Sequence, residues 1–95
     1  MSAYLVGHIT VHDKPLWNRY VAGVAESLLP YKAELLFRGE KVKVLAGSHD
    51  RQNVVVIRFT DMQTLNSWFG SDTYQALIPL RDSAADVTLI TYDQQ

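Results

Sequence analysis

Residues Gln52 to Phe59 (QNVVVIRF) constrain the fold more than any other stretch of this chain. Val54-Val55-Val56-Ile57 is β-branched throughout, and such side chains lose rotamer freedom in a helix but pack well on a pleated sheet. Period-two geometry sends Val55, Ile57 and Phe59 to one face and Val54, Val56 and Arg58 to the other. Both faces are apolar at their centre, so the strand calls for cover on both sides. A chain of 95 residues makes one domain, able to bury roughly two-thirds of its unfolded surface.

The other elements fit around that strand. Ala3 to Val11 alternates as a strand, with Leu5, Gly7, Ile9 and Val11 on one side and Tyr4, Val6, His8 and Thr10 on the other. Asp13 is a helix N-cap, and Pro15 is tolerated in the first turn after it. Trp17, Tyr20, Val21, Val24 and Leu28 form a stripe at helical spacing that Pro30 ends. Leu35-Leu36-Phe37 and Val42-Lys43-Val44-Leu45 are β-prone, and Gly39 between them offers a bulge within one long kinked strand, or a strand and a short turn. Gly47 to Asp50 is a turn cluster that leaves His49 in solvent. Thr60-Asp61-Met62-Gln63 reads as a capping box opening a helix through Met62, Leu65 and Trp68. Gly70 closes that helix and Ser71 caps the next, which Pro79 should kink, freeing the carbonyl of Gln75. Asp86 to Tyr92 is the last strand.

The order β-α-β-β-α-β, with right-handed crossovers, predicts an α+β, ferredoxin-like fold: a four-stranded antiparallel sheet with helices on one face. Helices cover one side only. The other side carries Tyr4, Val6, Val54, Val56, Ile90 and Tyr92, a patch too apolar for a monomer, so a homodimer through the sheet faces is expected.

Composition narrows the function classes. Net charge is −1 and the nine Lys and Arg are scattered, so nucleic acid and anionic membrane are not expected partners. The chain has no cysteine, which removes disulfides, thiolate ligands and thiol nucleophiles. The apolar start Ala3 to Val11 is interrupted by Gly7 and His8, which does not suit a signal or a span, so the cytoplasm is expected. His8 and His12 share a strand face but fall roughly 13 Å apart at strand rise, too far for one metal. No GxGxxG, P-loop, HExxH or GxSxG motif is present.

Tyr20, the Phe37-Arg38-Gly39 step, Val54 to Phe59, and above all Trp68…Ser71…Tyr74-Gln75-Ala76-Leu77…Leu80-Arg81 resemble the domain-of-unknown-function family numbered 1330, in the dimeric α+β barrel superfamily. The resemblance runs from about Tyr4 to Tyr92. It implies a ferredoxin-like protomer whose sheet joins a second to form a barrel with helices outside. Superfamily members include cofactor-free monooxygenases, isomerases and haem-binding enzymes, with pockets between helices and sheet. The family itself has no agreed activity. Where it usually has paired glycines after the first helix, this chain has Lys32-Ala33, and where it usually has Glu-Gly at the end of the second strand, this chain has Ala46-Gly47.

Tyr74, Leu77, Ile78 and Arg81 stand at offsets 0, 3, 4 and 7, one helical face. A guanidinium therefore shares an apolar stripe, where burial is costly unless it is paired. Arg81 and Arg38 are the candidate anion-binding residues, since the guanidinium fork matches a carboxylate. Tyr20 and Tyr74 would orient or protonate a bound acid, and Trp68 would form the wall. The plain alternative for each is structural: paired core arginines and ordinary core aromatics. Two functions follow. One is a small-molecule protein binding or converting a small organic acid without cofactor. The other is a non-catalytic binding or assembly module. A haem-binding variant would require His8 as axial ligand.

Overall fold

β1 (Ala3–Val11) sits inside the sheet, antiparallel to β3 (Asn53–Phe59) on one side and to β4 (Ala85–Asp93) on the other. β2 (Glu34–Glu40) pairs antiparallel with β3, so the order is β2-β3-β1-β4. The structure, a computed structural model, describes residues 1–95. Four helices complete it: α1 (Lys14–Leu28), α2 (Met62–Phe69), α3 (Asp72–Gln75) and α4 (Ile78–Ala84). The expected ferredoxin-like arrangement is the one present.

Alternation in β1 decides which side the helices cover. Ala3, Leu5, Gly7 and Ile9 are buried, while Tyr4, Val6, His8 and Thr10 are only half-covered. Leu5 lies opposite Ile57 in β3 and joins Phe59, Leu65, Trp68, Tyr74 and Tyr20 in one core. On the open side, Val6 lies opposite both Val56 and Ile90. The molecule is a slab of 34 × 34 × 16 Å. Only 13 of 95 residues are buried, because one sheet and one helical layer leave the other sheet face open.

Two glycines are placed by close approach. A Cβ on Gly7 would lie 2.9 Å from Val55 Cγ1 and 3.2 Å from Leu89 Cδ2. The space beside it is thus filled by side chains of the flanking strands. The helix contact falls instead at Gly23, where a Cβ would meet Leu77 Cδ2 at 2.7 Å.

Several local expectations are corrected. Val42–Leu45 is not a strand: regular pairing ends at Glu40, opposite Asn53, and Val42 and Leu45 are 96% and 88% exposed. Their alternation is β-like, but β3 offers them no neighbour. The register shift lies between Leu35 and Phe37, and not at Gly39. The cap of α2 is Asp61, whose carboxylate accepts from Thr64 N at 2.7 Å, one residue later than a Thr60 capping box. Pro79 starts a helix where a kink was expected: it stands in the first turn of α4, where no N–H is needed. The segment after α2 is therefore two short helices joined by a tighter turn, Leu77 N donating to the Tyr74 carbonyl at 2.8 Å. His49 is exposed, as expected, and its ring also packs edge-on against His8 with centroids 4.8 Å apart. Lys32 takes the left-handed conformation, φ 53°, at the position where the resembled family uses glycine.

Candidate functional site

Four short elements aim their side chains at one spot. Asp13 caps α1 by accepting from Leu16 N at 3.2 Å, and the helix it starts carries Tyr20 and Ser27, seven residues apart, on its buried side. Asp61 caps α2, which presents Trp68; the Thr64 backbone N–H, helped by its side chain, holds the Asp61 carboxyl below its ordinary range. Ser71 joins two elements: its hydroxyl donates to the Trp68 carbonyl at 2.7 Å and accepts from Tyr74 N at 3.2 Å. That hydrogen bond caps α3 and sets Tyr74. Pro79 begins α4, which delivers Arg81.

The result is a buried polar chain. Tyr20 and Tyr74 share a hydrogen bond of 2.9 Å between their hydroxyls. Arg81 Nη1 donates to the Tyr74 hydroxyl at 3.1 Å, and Arg81 Nε donates to Asp82 Oδ1 at 3.0 Å. Trp68 Nε1 donates to Ser27 Oγ at 2.9 Å, and that hydroxyl donates to the Val24 carbonyl at 2.7 Å. The Trp68 and Tyr74 rings lie 4.4 Å apart. Tyr74 is 0% and Trp68 1% exposed, while the Arg81 side chain keeps 17% of its surface.

Burial, with the Tyr74 hydrogen bond second, pushes the Tyr20 phenol far above its ordinary range. Tyr20 is therefore a neutral donor or acceptor and not a base. Burial works against the charge of Arg81, but hydrogen bonds to Asp82 and Tyr74 outweigh it and raise its pKa. A lasting positive charge is thus held against the Tyr74 hydroxyl, with the neutral Tyr20 phenol behind it. Of the five N–H donors of a guanidinium, these bonds occupy two.

Tyr20, Trp68, Tyr74 and Arg81 come together as one group; Arg38 does not join them. Arg38 stands opposite Val55 on β2, exposed, at the sheet edge far from β4 and α4. Ser27 and Asp82 were missed as partners. Ser27 had a signal, since it lies on the Tyr20 stripe of α1. A cleft of about 230 Å³ opens nearby between α2 and the sheet, lined by Leu5, Leu65, Asn66, Phe69, Leu89 and Thr91. Its link to the group is Phe69, whose ring lies 5.2 Å from that of Tyr74. No three His, Asp or Glu side chains are grouped to hold a metal ion.

Tyr74→Phe removes the hydroxyl on which Tyr20 and Arg81 converge. The expected loss is about 1–3 kcal/mol. Pairing it with Tyr20→Phe should cost less than the two losses added, because neither phenol is then left alone. Thermal melting of the three variants checks this, and strict additivity would show that the hydroxyls are not coupled.

Comparison with solved structures finds the same fold at low identity. A protein of unknown function from Rhodopseudomonas palustris, RPA0582, is 11% identical with a TM-score of 0.83, covering 99% of this chain and 82% of its own. SnoaB, a cofactor-independent oxygenase from Streptomyces nogalater, is 10% identical with a TM-score of 0.71, covering 99% and 93%. A dimeric ferredoxin-like protein of unknown function from Jannaschia sp. CCS1 is 13% identical with a TM-score of 0.68, covering 99% and 100%. No curated protein matches in sequence. Residues 2–94 match the family described as Domain of unknown function (DUF1330), and the chain belongs to that family.

Proposed function

We propose that this protein is a homodimeric α+β barrel that binds a small organic acid, without a cofactor, at the Arg81–Tyr74–Tyr20 group. The observation that carries the reading is the hydrogen bond from Arg81 to a Tyr74 hydroxyl that is itself bonded to Tyr20. A carboxylate would meet the guanidinium donors not taken by Tyr74 and Asp82, in a poorly hydrated place where a charge-assisted hydrogen bond is strongest. The two hydroxyls would orient the acid by hydrogen bonding, and Trp68 would back them. The fold shared with a cofactor-independent oxygenase supports chemistry of this kind. Dimerisation through the open sheet faces is supported by the apolar centre of that face and by a dimeric relative in fold. Location in the cytoplasm belongs to the same reading; no helix is long and apolar enough to cross a membrane.

One observation favours the other function, a non-catalytic module with structural arginines. None of Tyr20, Trp68, Tyr74, Arg38 or Arg81 lines the cleft beneath α2 or the larger one on the opposite sheet face. A melting screen against small organic acids separates the two. An acid at a hundred times its dissociation constant should stabilise the wild type by about 2.7 kcal/mol. Arg81→Met should fold and lose that response, while Arg38→Met, remote from the group, should keep it. If no acid stabilises the wild type, or Arg81→Met responds as it does, the arginine is structural.

A further inference from the structure

The open sheet face carries a second cleft, of about 280 Å³, at its Glu40–Asn53 corner, between the β2 edge and the segment that returns from β2 to β3; it shares Phe37 and Val54 with the surface taken for the dimer contact and so lies at the margin of that interface. Its ionisable lining is mostly cationic: Lys41 and Arg51, with the imidazoles of His8 and His49, against one carboxylate, Glu40. In a chain of net charge −1 this is a local inversion of sign. The groups are held in place. Lys41 Nζ donates to the His49 carbonyl at 2.8 Å, and the Lys41 N–H donates to the Gln52 carbonyl at 2.7 Å, pinning both ends of the segment. That pinning sets the His49 ring against His8.

Two donors here are under-used. His8 Nδ1 is the only buried side-chain nitrogen or oxygen in the protein without a hydrogen-bond partner, a state that normally costs about 1–3 kcal/mol. Arg51 has only loose partners, Thr88 Oγ1 at 3.5 Å and Asp86 Oδ2 at 3.7 Å, and the same Asp86 oxygen is taken by His12 at 2.7 Å. The lining does not suit a cation, since no three His, Asp or Glu side chains are grouped to hold one.

We propose that this cleft binds a compact oxyanion, a carboxylate or a phosphate, through Arg51, Lys41 and the protonated imidazoles of His8 and His49. The site is independent of Arg81. Both ring nitrogens of a protonated imidazole are donors, and His8 adds its charge to the lining although its Nδ1 is itself buried. Binding therefore strengthens as pH falls through the titration of the two rings. The charged groups facing them are Glu40 and Lys41 at the end of β2 and Arg51 before β3, with the Asp86 carboxylate of β4 3.7 Å from Arg51. Asn53 and Val54 in β3, and Thr88 opposite His8 in β4, are uncharged.

The chain has three histidines, so proton NMR of the imidazole resonances, assigned by His→Gln substitution, reads each ring separately. The full-length protein is titrated between about pH 5 and 8 in chloride, in inorganic phosphate and in acetate at matched ionic strength. An anion at contact raises the midpoints of His8 and His49 by about one unit, while His12, paired with Asp86 outside the cleft, moves much less. A response to phosphate alone, to acetate alone, or to both identifies which oxyanion the site accepts. Arg51→Gln should weaken the binding about tenfold or more, and Arg81→Met should leave it unchanged. The proposal is overturned if neither ring responds, if all three histidines move alike, or if Arg51→Gln responds as the wild type does.

Discussion

Trp68→Ala is expected to lose about 3–5 kcal/mol of unfolding free energy, a large share of the 5–15 kcal/mol that holds a typical domain. Three separate contacts add up at this side chain. Its ring packs against Phe59 in β3, with centroids 5.5 Å apart, and against Tyr74 at 4.4 Å. It is 1% exposed, so truncation leaves a cavity beneath α2 and not a surface dimple. Its indole N–H also donates to Ser27 Oγ, tying α2 to α1. Trp68→Phe separates the terms. It keeps most of the apolar contact but leaves the Ser27 hydroxyl with only its own bond to Val24. That variant should lose much less, about 1–2 kcal/mol. Denaturant unfolding followed by circular dichroism measures both. If Trp68→Ala unfolds within 1 kcal/mol of the wild type, roughly the median effect of any substitution, Trp68 is not the centre of this core.

The parts of the fold that were legible in the sequence are those fixed by period. Alternation in β1 and β3 assigned every side chain to its face, because a one-residue error would have turned apolar residues to solvent throughout. Likewise the offsets of Tyr74 and Arg81 foretold that they would meet, although the helix joining them is interrupted. A tightened turn at Leu77 conserves the direction of the stripe even where the helical ladder is broken. What sequence did not reveal depends on which strand has a neighbour. Val42–Leu45 alternates as well as β2 does, yet pairing stops at Glu40. Arg38 was a candidate for the same anion site as Arg81, but the bulge falls before it and the register sets it opposite Val55 at the far edge. The contact of His49 with His8 was unreadable for a similar reason: only the return of the segment through Lys41 and Gln52 brings a turn residue back over β1.

Val56→Asp should separate the proposed dimer into monomers while leaving the protomer folded. Val56 lies at the middle of the open face, opposite Val6 in β1 and Phe37 in β2. In a lone slab it is half-covered, so an aspartate there stays solvated and the fold is only weakly affected. If two slabs meet through this face, each copy buries one carboxylate with no partner, at a cost of several kcal/mol per charge. Two such charges in a symmetric interface weaken association on the order of 10⁴-fold or more, since each 1.4 kcal/mol is tenfold. At micromolar protein the wild type should sediment at twice 10.8 kDa and the variant at that single mass. Ala22→Asp, on the exposed side of α1, adds the same charge to the helical face and should remain dimeric. Circular dichroism on Val56→Asp distinguishes a folded monomer from an unfolded chain. A wild type that sediments as a monomer, or a folded Val56→Asp that stays dimeric, would remove the sheet-face interface. The exposed Ile90 and Tyr92 would then need some other cover.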